Sequence, residues 1–114
     1  MTDASCVFCK IVRGEIPSRK IFENERLLVF EDAYPQAKKH WLVIPKTHYT
    51  SLLNLPPDQS DLVGEMFRVG IDLAKSHMPS GFRSVINTLG GGGQTVFHLH
   101  LHLMSGGSLS PRFA

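Results

Sequence analysis

The stretch Val96-Phe97-His98-Leu99-His100-Leu101-His102-Leu103-Met104 restricts this chain more than any other. From Phe97 to Leu103 apolar residues and histidines alternate strictly, the period of a β-strand whose successive side chains point to opposite faces. The alternation predicts a strand over 96–104, with His98, His100 and His102 on one face and Phe97, Leu99, Leu101 and Leu103 turned into a core. Same-face neighbours in such a strand lie about 6.5–7 Å apart, two strand rises. A helix would scatter the same histidines, because only positions three or four apart share a helical face.

Four readings of that face are open. It is an exposed strand face, a metal site, a nucleophilic imidazole with helpers, or a mixture in which one outer histidine serves a structural metal. Lysine or threonine would solvate an exposed face without groups that titrate near neutrality, so plain exposure is the weakest of the four. Three histidines match the ligand count of a catalytic zinc, and one histidine flanked by two others matches covalent catalysis. Spacing alone does not choose.

The rest of the chain narrows the field. Its 114 residues suffice for one domain, 1–114, with a core that needs no disulfides. The formal charge of +2, with no basic run longer than a pair, gives no nucleic-acid footprint. No apolar stretch approaches the roughly 20 residues of a membrane span. The polar start Met1-Thr2-Asp3-Ala4-Ser5 lacks the pattern of a secretory signal, so a cytoplasmic protein is expected, with no membrane or nucleic-acid partner. The two cysteines, Cys6 and Cys9, form C-x-x-C. A thioredoxin-like role wants a strand before the pair, and only five residues precede it. Two thiolates at this spacing are half of a tetrahedral zinc site.

In chain order, Ser5 is placed to cap a short helix over 6–13 that stops at Gly14, with Val7, Phe8 and Ile11 at helical spacing. Strands are expected at 20–23 and 27–31 around an Asn24-Glu25 turn, and at 40–44, opened by His40 and closed by Pro45. His48 follows in a turn. Leu55-Pro56-Pro57-Asp58 introduces one long helix with an apolar stripe through Leu62, Met66, Phe67, Gly70, Leu73 and Ala74, ended by Pro79-Ser80-Gly81. A strand over 83–88 leads into Leu89-Gly90-Gly91-Gly92-Gly93-Gln94-Thr95, a turn that suits close backbone approach to an anion. A short polar tail, 105–114, closes the chain.

With these motifs in order, the sequence resembles the histidine triad family. His98-Leu99-His100-Leu101-His102-Leu103-Met104 is similar to the signature H-φ-H-φ-H-φ-φ, with φ apolar. Phe8-Cys9-Lys10-Ile11 with Glu15-Ile16-Pro17, Asp32 with Pro35-Gln36-Ala37, Leu42-Val43-Ile44-Pro45-Lys46 with His48, Val85-Ile86-Asn87 and Gly93-Gln94-Thr95-Val96-Phe97 all resemble the Hint branch. The likeness spans about residues 6–104.

The resemblance implies an α+β fold: an antiparallel sheet of about five strands with one long helix and a short N-terminal helix, two sheets being joined across a two-fold homodimer. It implies hydrolysis of the P–N bond of purine nucleoside phosphoramidates and aminoacyl-adenylates. By the same resemblance His100 is the nucleophile, the backbone carbonyl of His98 orients it, and His102 and His40 serve the phosphate and leaving group. Val7, Phe8, Ile11, Phe30, Asp32, Ala33 and Leu42 would hold base and ribose, with Asp32 on the ribose hydroxyls. Asn87, Gly93, Gln94 and Thr95, with His100 and His102, would hold the phosphate. Some similar bacterial proteins bind a structural zinc, here implying Cys6, Cys9, His48 and His98, while the catalysis itself requires no cofactor. Rival readings are a dinucleoside polyphosphate hydrolase of the Fhit type, a zinc-dependent hydrolase with only Asp32 as a candidate base, and a nucleotide-binding zinc protein with incidental hydrolysis.

Overall fold

A computed structural model describes residues 3–107 and 109. The elements are a short helix α1 (Val7–Val12), strands β1 (Lys20–Glu23), β2 (Leu27–Glu31) and β3 (Lys39–Pro45), a long helix α2 (Asp61–His77), and strands β4 (Arg83–Val85) and β5 (Leu101–Ser105). The five strands form one sheet in the order β1-β2-β3-β5-β4, and every neighbouring pair is antiparallel. This is the α+β architecture expected from the sequence.

The sheet is covered on both faces, which explains why β2 reads as an unbroken apolar run rather than an alternating one. Leu27, Val29, Trp41, Val43, Leu101 and Leu103 point to α2 and pack with its Leu62, Met66 and Ala74. Leu28, Phe30, Leu42 and Ile44 point the other way and pack with Phe8 and Ile11 of α1. The helix α2 buries a stripe at every fourth position, Leu62, Met66, Gly70 and Ala74. Gly70 lets α2 lie close to the sheet, since a Cβ there would meet Leu103 Cδ1 at 2.9 Å and that side chain would have to shift. Lys75 and His77 suit the negative end of the helix dipole.

Several expected boundaries shift. The α1 cap is Cys6, whose Sγ accepts from the Cys9 N–H, and not Ser5, which bonds Asp3 instead. Gly14 does end the turn, at φ +79°. The Pro-Pro segment forms a single 3-10 turn, and α2 starts only at Asp61. The strand expected over 83–88 is paired only at Arg83–Val85. The histidine strand is likewise shorter than its alternation, because β5 begins at Leu101 and not at Val96.

The physical cause of that last shift is β3. Its end, Pro45, has no N–H to give a neighbouring strand, and the Leu99 N–H bonds the Tyr49 carbonyl instead at 2.7 Å. The alternation survives without the ladder: Leu99 is buried among the α2-facing residues, while His98 and His100 lie against Phe8. Phe97 is an exception, 48% exposed rather than in the core. The C-terminal part of the expected polar tail lies outside the described residues.

Candidate active site and metal cluster

Helix α1 lies across one face of the sheet, and between them a cleft of about 1020 Å³ opens. Its lining includes Val7, Phe8 and Ile11 from α1, Phe30 and Leu42 from the sheet, Asp32 and Ala33 after β2, Thr95, and His40, His100 and His102. Ten of the thirteen residues expected to hold a nucleotide therefore share one cavity, and Asn87, Gly93 and Gln94 do not line it. Gln94 has other work. Its buried side chain accepts from the Leu89 N–H at 2.8 Å and donates to the carbonyls of Thr50 at 2.6 Å and Val96 at 3.1 Å, bracketing the glycine turn. Asn87 braces the same turn by donating Nδ2–H to the Gly92 carbonyl at 2.7 Å.

The hydrogen bonds assign each imidazole its tautomer, since a neutral ring has one donor and one acceptor nitrogen. His100 donates Nδ1–H to the His98 carbonyl at 2.6 Å, which leaves its Nε2 bare. The Phe8 ring stands edge-on to His100, with centroids 5.1 Å apart. In His40 the Nδ1 accepts the backbone N–H of Gln36 at 3.0 Å, so the proton sits on Nε2. That Nε2–H donates to His102 Nδ1 at 2.9 Å, which in turn puts the His102 proton on Nε2. The Asp32 carboxylate lies 3.4 Å from His40 Nε2 and also accepts the Tyr34 N–H. His98 donates Nε2–H to the Pro45 carbonyl at 2.7 Å, leaving Nδ1 bare.

Burial keeps these rings neutral. It pushes the pKa of His98 down to about 4, aided by His48 and His100. Burial pushes His102 down to about 4 as well, aided by His100 and His40. His40 is lowered by burial against the pull of Asp32, and His100 is lowered by burial against its bond to the His98 carbonyl. A bare, neutral Nε2 beside an N–H donor is the arrangement for nucleophilic attack with a proton held ready.

A second constellation lies behind α1. The bare Nδ1 of His98 is 3.4 Å from Cys6 Sγ and 3.5 Å from Cys9 Sγ, and His48 Nδ1 is 3.3 Å from Cys9 Sγ and 3.2 Å from His98 Nδ1. Around a tetrahedral zinc with the usual bond lengths, the N···N edge is about 3.3 Å and the S···N edge about 3.5 Å. The four residues thus present tetrahedral edges, and their chemistry fits a closed Cys₂His₂ site. The outer contacts fit too: His98 is oriented by the Pro45 carbonyl, and His48 Nε2 is 4.0 Å from the Asp3 carboxylate. All four residues expected as metal ligands are brought together. The group Asp32, His40 and His102 is equally close-set but is wired differently. The Gln36 N–H claims His40 Nδ1, so His40 Nε2 carries a proton where a metal would need a lone pair.

A family model described as "Scavenger mRNA decapping enzyme C-term binding" matches residues 5–112. The protein HitA of Neisseria gonorrhoeae is 44% identical over 101 residues, covering 88% of this chain and 94% of that protein. The chain belongs to the histidine triad family. Among solved family structures, a HIT family hydrolase from Legionella pneumophila is 39% identical, with a TM-score of 0.88 over 94% of this chain and 97% of the other. A zinc-bound histidine triad family protein from Mycobacterium smegmatis is 38% identical, with a TM-score of 0.82 over 94% and 78%.

For a histidine triad protein, the residues that sequence reasoning missed are mostly backbone groups and loop walls. Gln36 acts through its N–H and Pro45 through its carbonyl, which no side-chain pattern reveals. Ile16, Pro17, Ser18, Arg19 and Tyr34 also line the cleft. The signal for the first of these was Pro17, a chain breaker placed just after a capped helix that turns the chain along the cleft.

Proposed function

We propose that this histidine triad protein is a purine nucleoside phosphoramidase, a hydrolase whose nucleophile is His100. The observation that carries the reading is the 2.6 Å bond from His100 Nδ1–H to the His98 carbonyl, which bares Nε2 in the cleft beside the His102–His40 pair. In the first step His100 Nε2 attacks the α-phosphorus and the P–N bond breaks. The amine departs with a proton from His102 Nε2, the ring entering the step as the imidazolium that the substrate's phosphate charge favours and leaving it neutral. Water then attacks phosphorus, displaces His100 from the nucleotidyl-histidine and returns a proton to His102. Hydrogen bonds from the His102 and His40 side favour the charge that develops on the phosphoryl oxygens.

Asp32 would accept from the ribose hydroxyls, with Val7, Phe8, Ile11, Phe30, Ala33 and Leu42 around the base. Stacking in an apolar slot has few edge contacts, which favours acceptance of both adenine and guanine. Thr95 would contact the phosphate, while Asn87, Gly93 and Gln94 shape the turn that presents it. The Cys₂His₂ cluster, supported by its edges and by the zinc-bound relative, would hold a structural zinc through Cys6, Cys9, His48 and His98. When bound, that ion cross-links α1 to the segment before β5. A two-fold dimer is supported by the exposed sheet edge at β4, where the large apolar side chains Phe82 and Leu89 flank the strand.

Hydrolysis of adenosine 5′-phosphoramidate, with chelator present, tests the reading. The wild-type protein should turn over, and His100→Ala should lose at least about 10³-fold. Wild-type activity abolished by chelator with the fold intact would contradict it, as would a clear preference for diadenosine polyphosphates.

A further inference from the structure

The metal cluster and the cleft share parts. Helix α1 carries Cys6 and Cys9 toward His98 and His48, and it carries Val7, Phe8 and Ile11 into the cleft wall. His98 is shared as well: its ring nitrogen faces the sulfurs while its carbonyl holds His100. Phe8, between the two cysteines, has its ring centroid 5.8 Å from His98 and 5.1 Å from His100. A change in sulfur chemistry therefore reaches the nucleophile through one helical turn.

We propose that the Cys6–Cys9 pair is a reversible oxidation site, at which a peroxide-class oxidant makes a disulfide and disables the cleft. Both sulfurs, with their two histidine partners, lie within 4.8 Å of one another. Cys6 is half-buried and Cys9 is buried, so Cys6 meets the oxidant first and Cys9 resolves it. Two thiolates surrender two electrons to one peroxide molecule, which takes up two protons. The products are the Cys6–Cys9 disulfide, two molecules of water and any cation the thiolates held.

Oxidation differs from simple metal removal. Reduced thiols can still donate S–H to the bare Nδ1 of His98, and Cys9 Sγ stays within hydrogen-bond distance of His48 Nδ1, so the cluster keeps its contacts without an ion. A disulfide has neither an S–H nor a thiolate. It takes both sulfur partners from a fully buried His98 nitrogen and leaves it only His48 Nδ1, 3.2 Å away, and pulling the sulfurs to bonding distance re-forms the first turn of α1. The wall of the cleft and the His98 carbonyl shift with it.

The test treats the reduced, zinc-loaded full chain with hydrogen peroxide and follows intact mass, released zinc, AMP affinity and phosphoramidate turnover. The activity arm rests on the phosphoramidase reading, whereas the AMP arm requires only the cleft. The mass should fall by two hydrogens per chain, one zinc should be released, and AMP binding should weaken about tenfold. Turnover should fall about tenfold to a hundredfold, a misplacement-sized loss, and dithiothreitol should restore both. In Cys9→Ser, peroxide should not change the ratio of treated to untreated AMP affinity. A disulfide that forms with AMP affinity unchanged overturns the proposal. So does peroxide treatment that gives no disulfide, or oxidation that unfolds the whole chain by circular dichroism. Normal AMP effects in a protein that hydrolyses no phosphoramidate would overturn the function and leave the oxidation site standing.

Discussion

Two pairs of histidines flank His100 and use their nitrogens in opposite ways. Behind α1, His98 and His48 turn Nδ1 toward two sulfurs and toward each other, 3.2 Å apart. Across the cleft, His40 and His102 lie as close, 2.9 Å apart, but an N–H occupies the space between them. Side-chain identity is the same and so is the closeness. The difference is a backbone group: the Pro45 carbonyl takes the proton of His98 at Nε2, whereas the Gln36 N–H forbids a proton at Nδ1 of His40. One pair is left with the His98 lone pair facing two sulfurs and the other with a hydrogen bond between its rings. A cluster of histidines becomes a metal site or a proton pair according to which atom the backbone claims.

The most damaging way to break this contrast is His98→Ala, since His98 belongs to the Cys₂His₂ cluster and also packs against Phe8 beside His100. Removal of a fully buried ring that also satisfies the Pro45 carbonyl should cost about 3–5 kcal/mol in denaturant unfolding. The same variant should lose its zinc. Next in size is His102→Ala, which should lower turnover about 10²–10⁴-fold while bound zinc, measured by elemental analysis, stays at the wild-type level.

Cys9→Ser should do the reverse. Zinc content and melting temperature should fall, turnover should stay within about tenfold of wild type, and chelator should lower the melting temperature of wild type but not of the variant. Equal losses of zinc in Cys9→Ser and His102→Ala would erase the distinction between the two pairs.

Acid sharpens the comparison further. His102 is neutral in the folded chain down to about pH 4 but takes up a proton near its ordinary 6.5 when unfolded. The unfolded state therefore binds more protons, and stability should be full above pH 6.5 and drain away as pH falls toward 4. His102→Asn should show a shallower decline in urea unfolding over that window. The smallest effect expected is at Gln36, where only the backbone matters to His40. Gln36→Pro should cost about tenfold more turnover than Gln36→Ala, because only proline removes the N–H.

Much of this was legible in the sequence. The alternation at 97–103 placed His98 and His100 beside one helix and Leu99, Leu101 and Leu103 beside the other. The stripe of α2 marked its buried face, and C-x-x-C marked half of a Cys₂His₂ cluster that could hold a metal. The start of β5 was not legible, because side-chain alternation records which face a residue takes and not whether its backbone is paired. Nor was the cap of α1, where a cysteine sulfur took the role that serine usually fills. The division of labour among the histidines was hidden for the same reason. It depends on the N–H of Gln36 and the carbonyls of Pro45 and His98, and every residue but proline carries such groups alike.

The most direct measurement is the tautomeric state of the imidazoles by nitrogen-15 NMR at neutral pH. His100 should show a protonated Nδ1 and bare Nε2, His98 a protonated Nε2, and His40 and His102 protonated Nε2 atoms. A proton on Nε2 of His100, or on Nδ1 of His40, would contradict this assignment.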